Sequence, residues 1–167
     1  MFQSINNFLK TWEYEAGATH RLLTNLTEES LQQESTNEHW SVGEIAWHLV
    51  SSIKIITSNT DLQFEGPGKG SPLPESVEKI ANSYLQVSVA FVHALQTQWS
   101  DDQLEKRIDF FGQKMKKGTL LLFLLQHQTH HRGQLTILMR QAGLRVHGIY
   151  GPSLEEWAQF GMEPPKV

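Results

Sequence analysis

Apolar residues recur every three or four positions from the N-terminus: Ile5, Phe8, Leu9, Trp12, Ala16, Leu23 and Leu26, separated by Asn, Lys and Glu. That period belongs to a helix that buries one face, and it fades near NLTEES. A second helix has a sharper start in HWSVGEIAWHLV, where Ser41 and Glu44 stand at capping-box spacing. Ile45, His48, Leu49, Ser52 and Ile55 then run along one face to about Asn59. The short connection suggests that these two helices are neighbours.

The stretch FEGPGKGSPLP is a Gly- and Pro-rich loop. Pro74 suits a first helical position, because its missing N–H would be unpaired there anyway. A third helix carries Val77, Ile80, Ala81, Tyr84, Phe91 and Leu95. The segment WSDDQLEKRIDFFGQKMKKG breaks the pattern, with a short helical turn and a small hairpin around Gly112. Thr119 opens a fourth helix that runs to Ala142, with Gly143 as its stop. Ser153 and Glu156 form a second capping box before a short C-terminal helix. No internal repeat is visible. The expected fold class is all-α: one domain over residues 1–167, a four-helix bundle of antiparallel type with room for one crossover.

At 167 residues the chain is long enough for one real core. A formal net charge of −4 argues against sequence-independent affinity for nucleic acid, which needs concentrated Lys and Arg. The basic patch KMKK, Lys114 to Lys117, is too short to alter this. There is no cysteine, so disulfides, thiolate ligands and cysteine nucleophiles are excluded together. The N-terminus lacks the basic and apolar regions of a secretion signal. The most apolar run, Leu120 to Leu125, is far shorter than a membrane span. These features predict a soluble, cytoplasmic protein.

The candidate chemistry lies in LLFLLQHQTHHRGQL. On the fourth helix the inward stripe reads Leu120, Leu124, His127, His131, Leu135, Leu138, so two imidazoles take core positions. A buried imidazole needs a hydrogen-bond partner or a metal. Side chains four apart on a helix have Cβ atoms about 5–6 Å apart, close enough for two rings to share an ion. His130 points about 100° away from His131 and reads as a bystander. Among donors for a third bond, His48 stands out on the second helical stripe. His20 looks more exposed, His93 falls beside the Phe91 stripe, and His39 and His147 lie in loops. The set His48, His127 and His131 offers three neutral nitrogens with one coordination position open, as catalytic rather than closed sites do. The alternative is three hydrogen-bonded core histidines and no metal.

The neighbours read more plainly. Gln134 lies on the site side but reads as an ordinary polar residue, and Arg132 as half of a surface ion pair. Glu44 reads as a cap, with a weaker claim to be a general base. Trp12 is core, Trp40 a hydrophobic staple, and Trp47 is turned about 100° from His48, towards another subunit. Trp99 and Trp157 pack loop and tail.

WSVGEIAWHLV followed far downstream by HQTHHRGQL, with the late YGPSLEEW, resembles the DinB family, which includes YfiT-like proteins classed as metal-dependent hydrolases. The resemblance covers essentially the whole chain. It implies a four-helix bundle whose three histidines hold a divalent metal, commonly zinc or nickel. In motif position those ligands fall on His48, His127 and His131. Where the family often has Glu after the first histidine of the pair, this chain has Gln128, which puts an acid–base role there in question. The resemblance also implies a homodimer and, in some relatives, transfer chemistry that uses a low-molecular-weight thiol.

The expected function is therefore a divalent-metal-dependent enzyme acting on a small molecule. Thiol transfer leads on family grounds; metal-dependent hydrolysis or non-catalytic metal and ligand binding are the alternatives.

Overall fold

The computed structural model describes residues 2–34 and 40–166. Its elements follow the order α1 (Ile5–Leu23), α2 (Val42–Thr57), α3 (Val77–Gln98), β1 (Arg107–Phe110), β2 (Gln113–Lys116) and α4 (Lys117–Gln141). Single 3-10 turns occupy Glu29–Gln32, Asp101–Glu105 and Trp157–Phe160. The four helices form the expected bundle, but all-α is too narrow a description. Arg107–Phe110 and Gln113–Lys116 pair as an antiparallel ribbon, Ile108 opposite Met115 and Phe110 opposite Gln113. Alternating burial, with Phe110 in the core, favours extended chain there.

Helix order differs from the expectation of neighbouring first helices. Both α1 and α2 pack against α3 and α4, so α1 and α2 occupy diagonal corners of the bundle. The connection between them carries the Glu29–Gln32 turn, which itself packs on α2 and gives the chain the reach to cross. The α3–α4 connection, which contains the ribbon, spans the other diagonal.

Caps explain most helix boundaries. Ser41 accepts the Glu44 N–H at 3.2 Å, and the Glu44 carboxylate accepts the Ser41 N–H at 2.8 Å. The third helix starts later than Pro74 because Ser76 provides its side-chain cap and the Glu28 carboxylate takes the Val77 N–H. The fourth starts earlier than Thr119, growing straight out of β2: the Lys117 N–H is held by the Lys106 carbonyl at 2.8 Å. Its end is a Schellman motif, with Gly143 at φ +75° and Leu144 N–H bonded to the Met139 carbonyl. The tail forms only a 3-10 turn. Glu156 accepts the Ser153 N–H at 2.9 Å, but its own N–H goes to the Ser153 carbonyl, so half of that box is made.

Phe8, Trp12, Leu49, Ile53, Ile80, Phe91, Leu95, Leu120, Leu124 and Leu135 fill the centre. Trp12 stands edge-on to Phe91 at 5.1 Å and donates its indole N–H to Ser88. Gln128 and Arg132 of α4 are the polar side chains buried deepest among them. Gln128 is fully enclosed; its amide donates to the Leu49 carbonyl at 2.8 Å and the Ser52 hydroxyl at 3.1 Å, and its oxygen accepts from Tyr84. Arg132 is 1% exposed rather than on the surface, pairs with Glu15, and donates to the Glu15 carbonyl and Thr19. Tyr150 of the tail closes the pair: it donates to the Glu15 carboxylate and accepts from Arg132 at 2.6 Å. Among the described residues no helix is long and apolar enough to cross a membrane.

The Gln128 geometry makes a sharp prediction. Gln128→Glu replaces the buried NH2 donor with a carboxylate oxygen facing the Leu49 carbonyl, which should cost about 3 kcal/mol or more at neutral pH. Burial raises the new carboxyl's pKa above its unfolded value, so the penalty should shrink as pH falls towards 4–5. Urea melts of both proteins at pH 5 and pH 8 check this; a penalty independent of pH would show that the side chain leaves the core.

Candidate metal centre

Two parallel rows of i, i+4 residues run along α4. One row, Gln128 and Arg132, turns fully inward. The other, His127 and His131, lies one residue earlier and so about 100° around the helix, at the margin of the core. On α2 the buried stripe passes through Ile45, Leu49, Ser52 and Ile56, while Ile55 is 36% exposed. His48 shares that margin. It therefore meets the histidine row of α4 at a half-buried edge of the bundle, not at its centre.

The Nε2 atoms of His48 and His127 lie 2.8 Å apart. One ring nitrogen from each of His48, His127 and His131 falls within a sphere of contacts no longer than 4.8 Å. Ring centroids stand 4.4 Å apart for His48–His131 and His127–His131, and 5.0 Å for His48–His127. His131 Nδ1 donates to Gln134 Oε1 at 2.7 Å, which leaves its Nε2 lone pair free to bind an ion. Three imidazoles converging in this way fit a borderline-soft divalent cation whose nitrogen ligands sit about 2.0–2.1 Å away.

Electrostatics favour the ligand form of each ring. Burial, followed by the His131 charge, lowers the His48 pKa from 6.5 to about 4. Burial also lowers His127 to about 4, helped by His131, His48 and His130. His131 is lowered by burial as well, against the opposing pull of its Gln134 bond. At neutral pH all three are uncharged nitrogen donors.

The other sequence candidates go elsewhere. His20 and His93 border a groove of about 600 Å³ between α1 and α3. His147 faces Glu156 at 3.6 Å, His130 is exposed beside His131, and His39 lies outside the described residues. Glu44 is held in its cap. Trp47 is turned into its own chain, donating to the Ser71 carbonyl at 3.0 Å. Gln134 is no bystander: it orients His131, and its i, i+3 spacing from that histidine was the available signal. Trp40 is also more than a staple. Its ring lies 4.8 Å from His48 and stacks on His131 at 6.0 Å, roofing the cluster while remaining 47% exposed. Phe123, one turn before His127, stacks against that ring at 5.8 Å. Nothing in the spacing of Trp40 pointed to this.

Comparison with known proteins agrees with the fold. The DinB family model matches residues 1–166. Bacillus subtilis (strain 168) YrdA, an uncharacterized protein, is 60% identical over 167 residues, 100% of both chains. The crystal structure of a DinB-like protein from Bacillus cereus ATCC 10987 superposes with a TM-score of 0.87 at 49% identity, covering 90% of this chain and 100% of that one. The DinB-like YjoA structure from Bacillus subtilis, at 18% identity, shares the fold with a TM-score of 0.66 over 88% of this chain and 99% of its own.

The lowered histidine pKa values fix the sign of an acid response. Between pH 6.5 and about 4 the unfolded chain binds protons that the folded chain excludes, so metal-free protein should lose stability as pH falls through this window. Thermal melts in chelator from pH 7 to pH 4.5 should show a steeper decline than those of His48→Asn/His127→Asn. Equal slopes would mean that the rings titrate normally.

Proposed function

The chain belongs to the DinB family, and we propose that His48, His127 and His131 together hold one divalent ion, zinc or nickel, in a metal-dependent enzyme acting on a small molecule. The observation that carries this reading is the convergence of three neutral imidazole nitrogens from two helices, one of them pre-oriented by Gln134. A divalent ion there would supply Lewis acidity, stabilising the deprotonated form of a group bound at its remaining position.

Thiol transfer is favoured over hydrolysis by what surrounds the cluster. The side chains that hydrolysis would call on for proton transfer are missing or committed: the Glu44 carboxylate is bound to the Ser41 N–H, and at position 128 stands a non-titrating amide bound to Leu49 and Ser52. A thiol, with an ordinary pKa near 8.5, needs far less help to ionise than water. The chain has no cysteine, so the thiol comes from a low-molecular-weight cosubstrate. The same reading takes the working form to be a cytoplasmic homodimer, on family grounds.

Elemental analysis of purified protein tests the ion directly. Wild type should carry one zinc or nickel per chain, and His127→Ala should carry almost none while keeping its helical circular dichroism. Equal metal in both would retire the proposal. Binding at about 100 Kd adds about 2.7 kcal/mol to stability, so chelation should lower Tm by about 5–10 °C. A panel of small thiols should then shift the metal-loaded Tm further, and a panel without effect would return hydrolysis to first place.

A further inference from the structure

The ribbon's turn contains a residue that its backbone does not want. Because Phe110 pairs with Gln113, only Phe111 and Gly112 connect the strands, and both are left-handed, at φ +51° and +76°. Such two-residue turns prefer Asn-Gly or Gly-Gly. A bulky aromatic residue with positive φ is an outlier, and among the described residues Phe111 is the sole non-glycine case. Burial does not compensate, since Phe111 is 90% exposed.

Its position offers the reason. Phe111 meets Phe110 at 4.6 Å, Phe110 meets Phe123 at 5.2 Å, and Phe123 stacks on His127 at 5.8 Å. An aromatic strip therefore runs from the exposed turn, by way of the buried Phe110, to a ring of the histidine cluster. Trp40 covers the His48 and His131 rings and keeps nearly half its surface open. Most cations of the ribbon and α4 are already paired: Lys114 with Asp109, Lys116 with Glu105, Lys117 with Asp61, Arg132 with Glu15, Arg140 with Glu155. Arg107, at the end of the ribbon away from the turn, instead donates to the Lys114 carbonyl. The surroundings thus suit a flat apolar group better than a phosphate or carboxylate.

We propose that Phe111, with Phe123 and Trp40, forms the wall that receives the flat hydrophobic body of the substrate while its reacting group reaches the histidine cluster. Phe111 is the specificity-determining residue, and the substrate is a small molecule with an aryl or similarly planar apolar moiety. This rests on the metal reading above.

Cobalt(II)-loaded protein provides a test by visible spectroscopy, without any turnover. Titrations compare acetohydroxamate, benzohydroxamate and 4-phenylbenzohydroxamate, which share one metal-binding head. Each ring held against the strip should tighten binding about 3–10-fold, the yield of an aromatic contact. Phe111→Ala should abolish the gain from the second ring and leave acetohydroxamate affinity unchanged; Trp40→Ala should reduce the gain from the first. Equal affinities across the series in fully cobalt-loaded wild type, or a preference retained by Phe111→Ala, would overturn the wall alone. Failure to take up cobalt would overturn the metal reading and the wall with it. A metal-free measurement adds an independent check. Phe111→Asn, relieved of the left-handed aromatic, should melt about 2–4 °C higher, whereas a lower Tm would make Phe111 a structural residue and sink the proposal.

Discussion

The Gln128 carboxamide is the tie on which the position of the histidines depends. It follows His127 directly on α4, and its two N–H donors end on Leu49 and Ser52 of α2, the first of which follows His48. A fully buried amide left short of partners costs about 1–3 kcal/mol for each lost bond. Sliding α2 along α4 by one turn would strip both of its donor bonds at once. Apolar packing alone is less discriminating, because a Leu/Ile surface offers several registers of similar energy. The amide selects one, and that register brings two Nε2 atoms within 2.8 Å. A carboxylate in its place could accept from Tyr84 but could not donate to a carbonyl. That explains why an amide, not an acid, suits this position.

One turn further along, Arg132 does for α1 what Gln128 does for α2. A guanidinium enclosed to 1% exposure is tolerable only with a counterion and partners for its donors; Glu15, Thr19, Thr129 and Tyr150 serve its two terminal nitrogens, while its Nε–H stays unpartnered. The tail is thereby fixed to the bundle through Tyr150, and Tyr14 adds a bond to the Ile149 carbonyl. A helix that could have been uniformly oily instead carries a locking row and a chemical row side by side. Their offset of one residue keeps the locks dry and leaves the histidines at the half-buried edge of the bundle.

The four helices, the Ser41/Glu44 cap, the Gly143 stop and the His127/His131 pair were legible because each rests on short-range periodicity or spacing. His48 could be chosen over His20 and His93 because it sat on an apolar stripe, although that stripe drifts and its far end, Ile55, turns outward. What the sequence concealed is long-range. Nothing in the spacing of Arg132 reveals Glu15 on another helix, so a surface reading was the natural one. Neither does a short connection reveal that α1 and α2 are diagonal partners, since that depends on how the bundle closes. Trp40 illustrates the same limit: a ring before a cap looks like a staple until the facing helix brings His131 beneath it.

Glu15 and Arg132 are separated by 117 residues, which matters for biosynthesis. When α1 is made, Glu15 lacks this counterion, which arrives only with α4. Phe8 and Trp12 can be covered earlier, by Phe91 of α3, but the ion pair must wait for α4. The interval before α4 closes the bundle is when this chain is most exposed to aggregation.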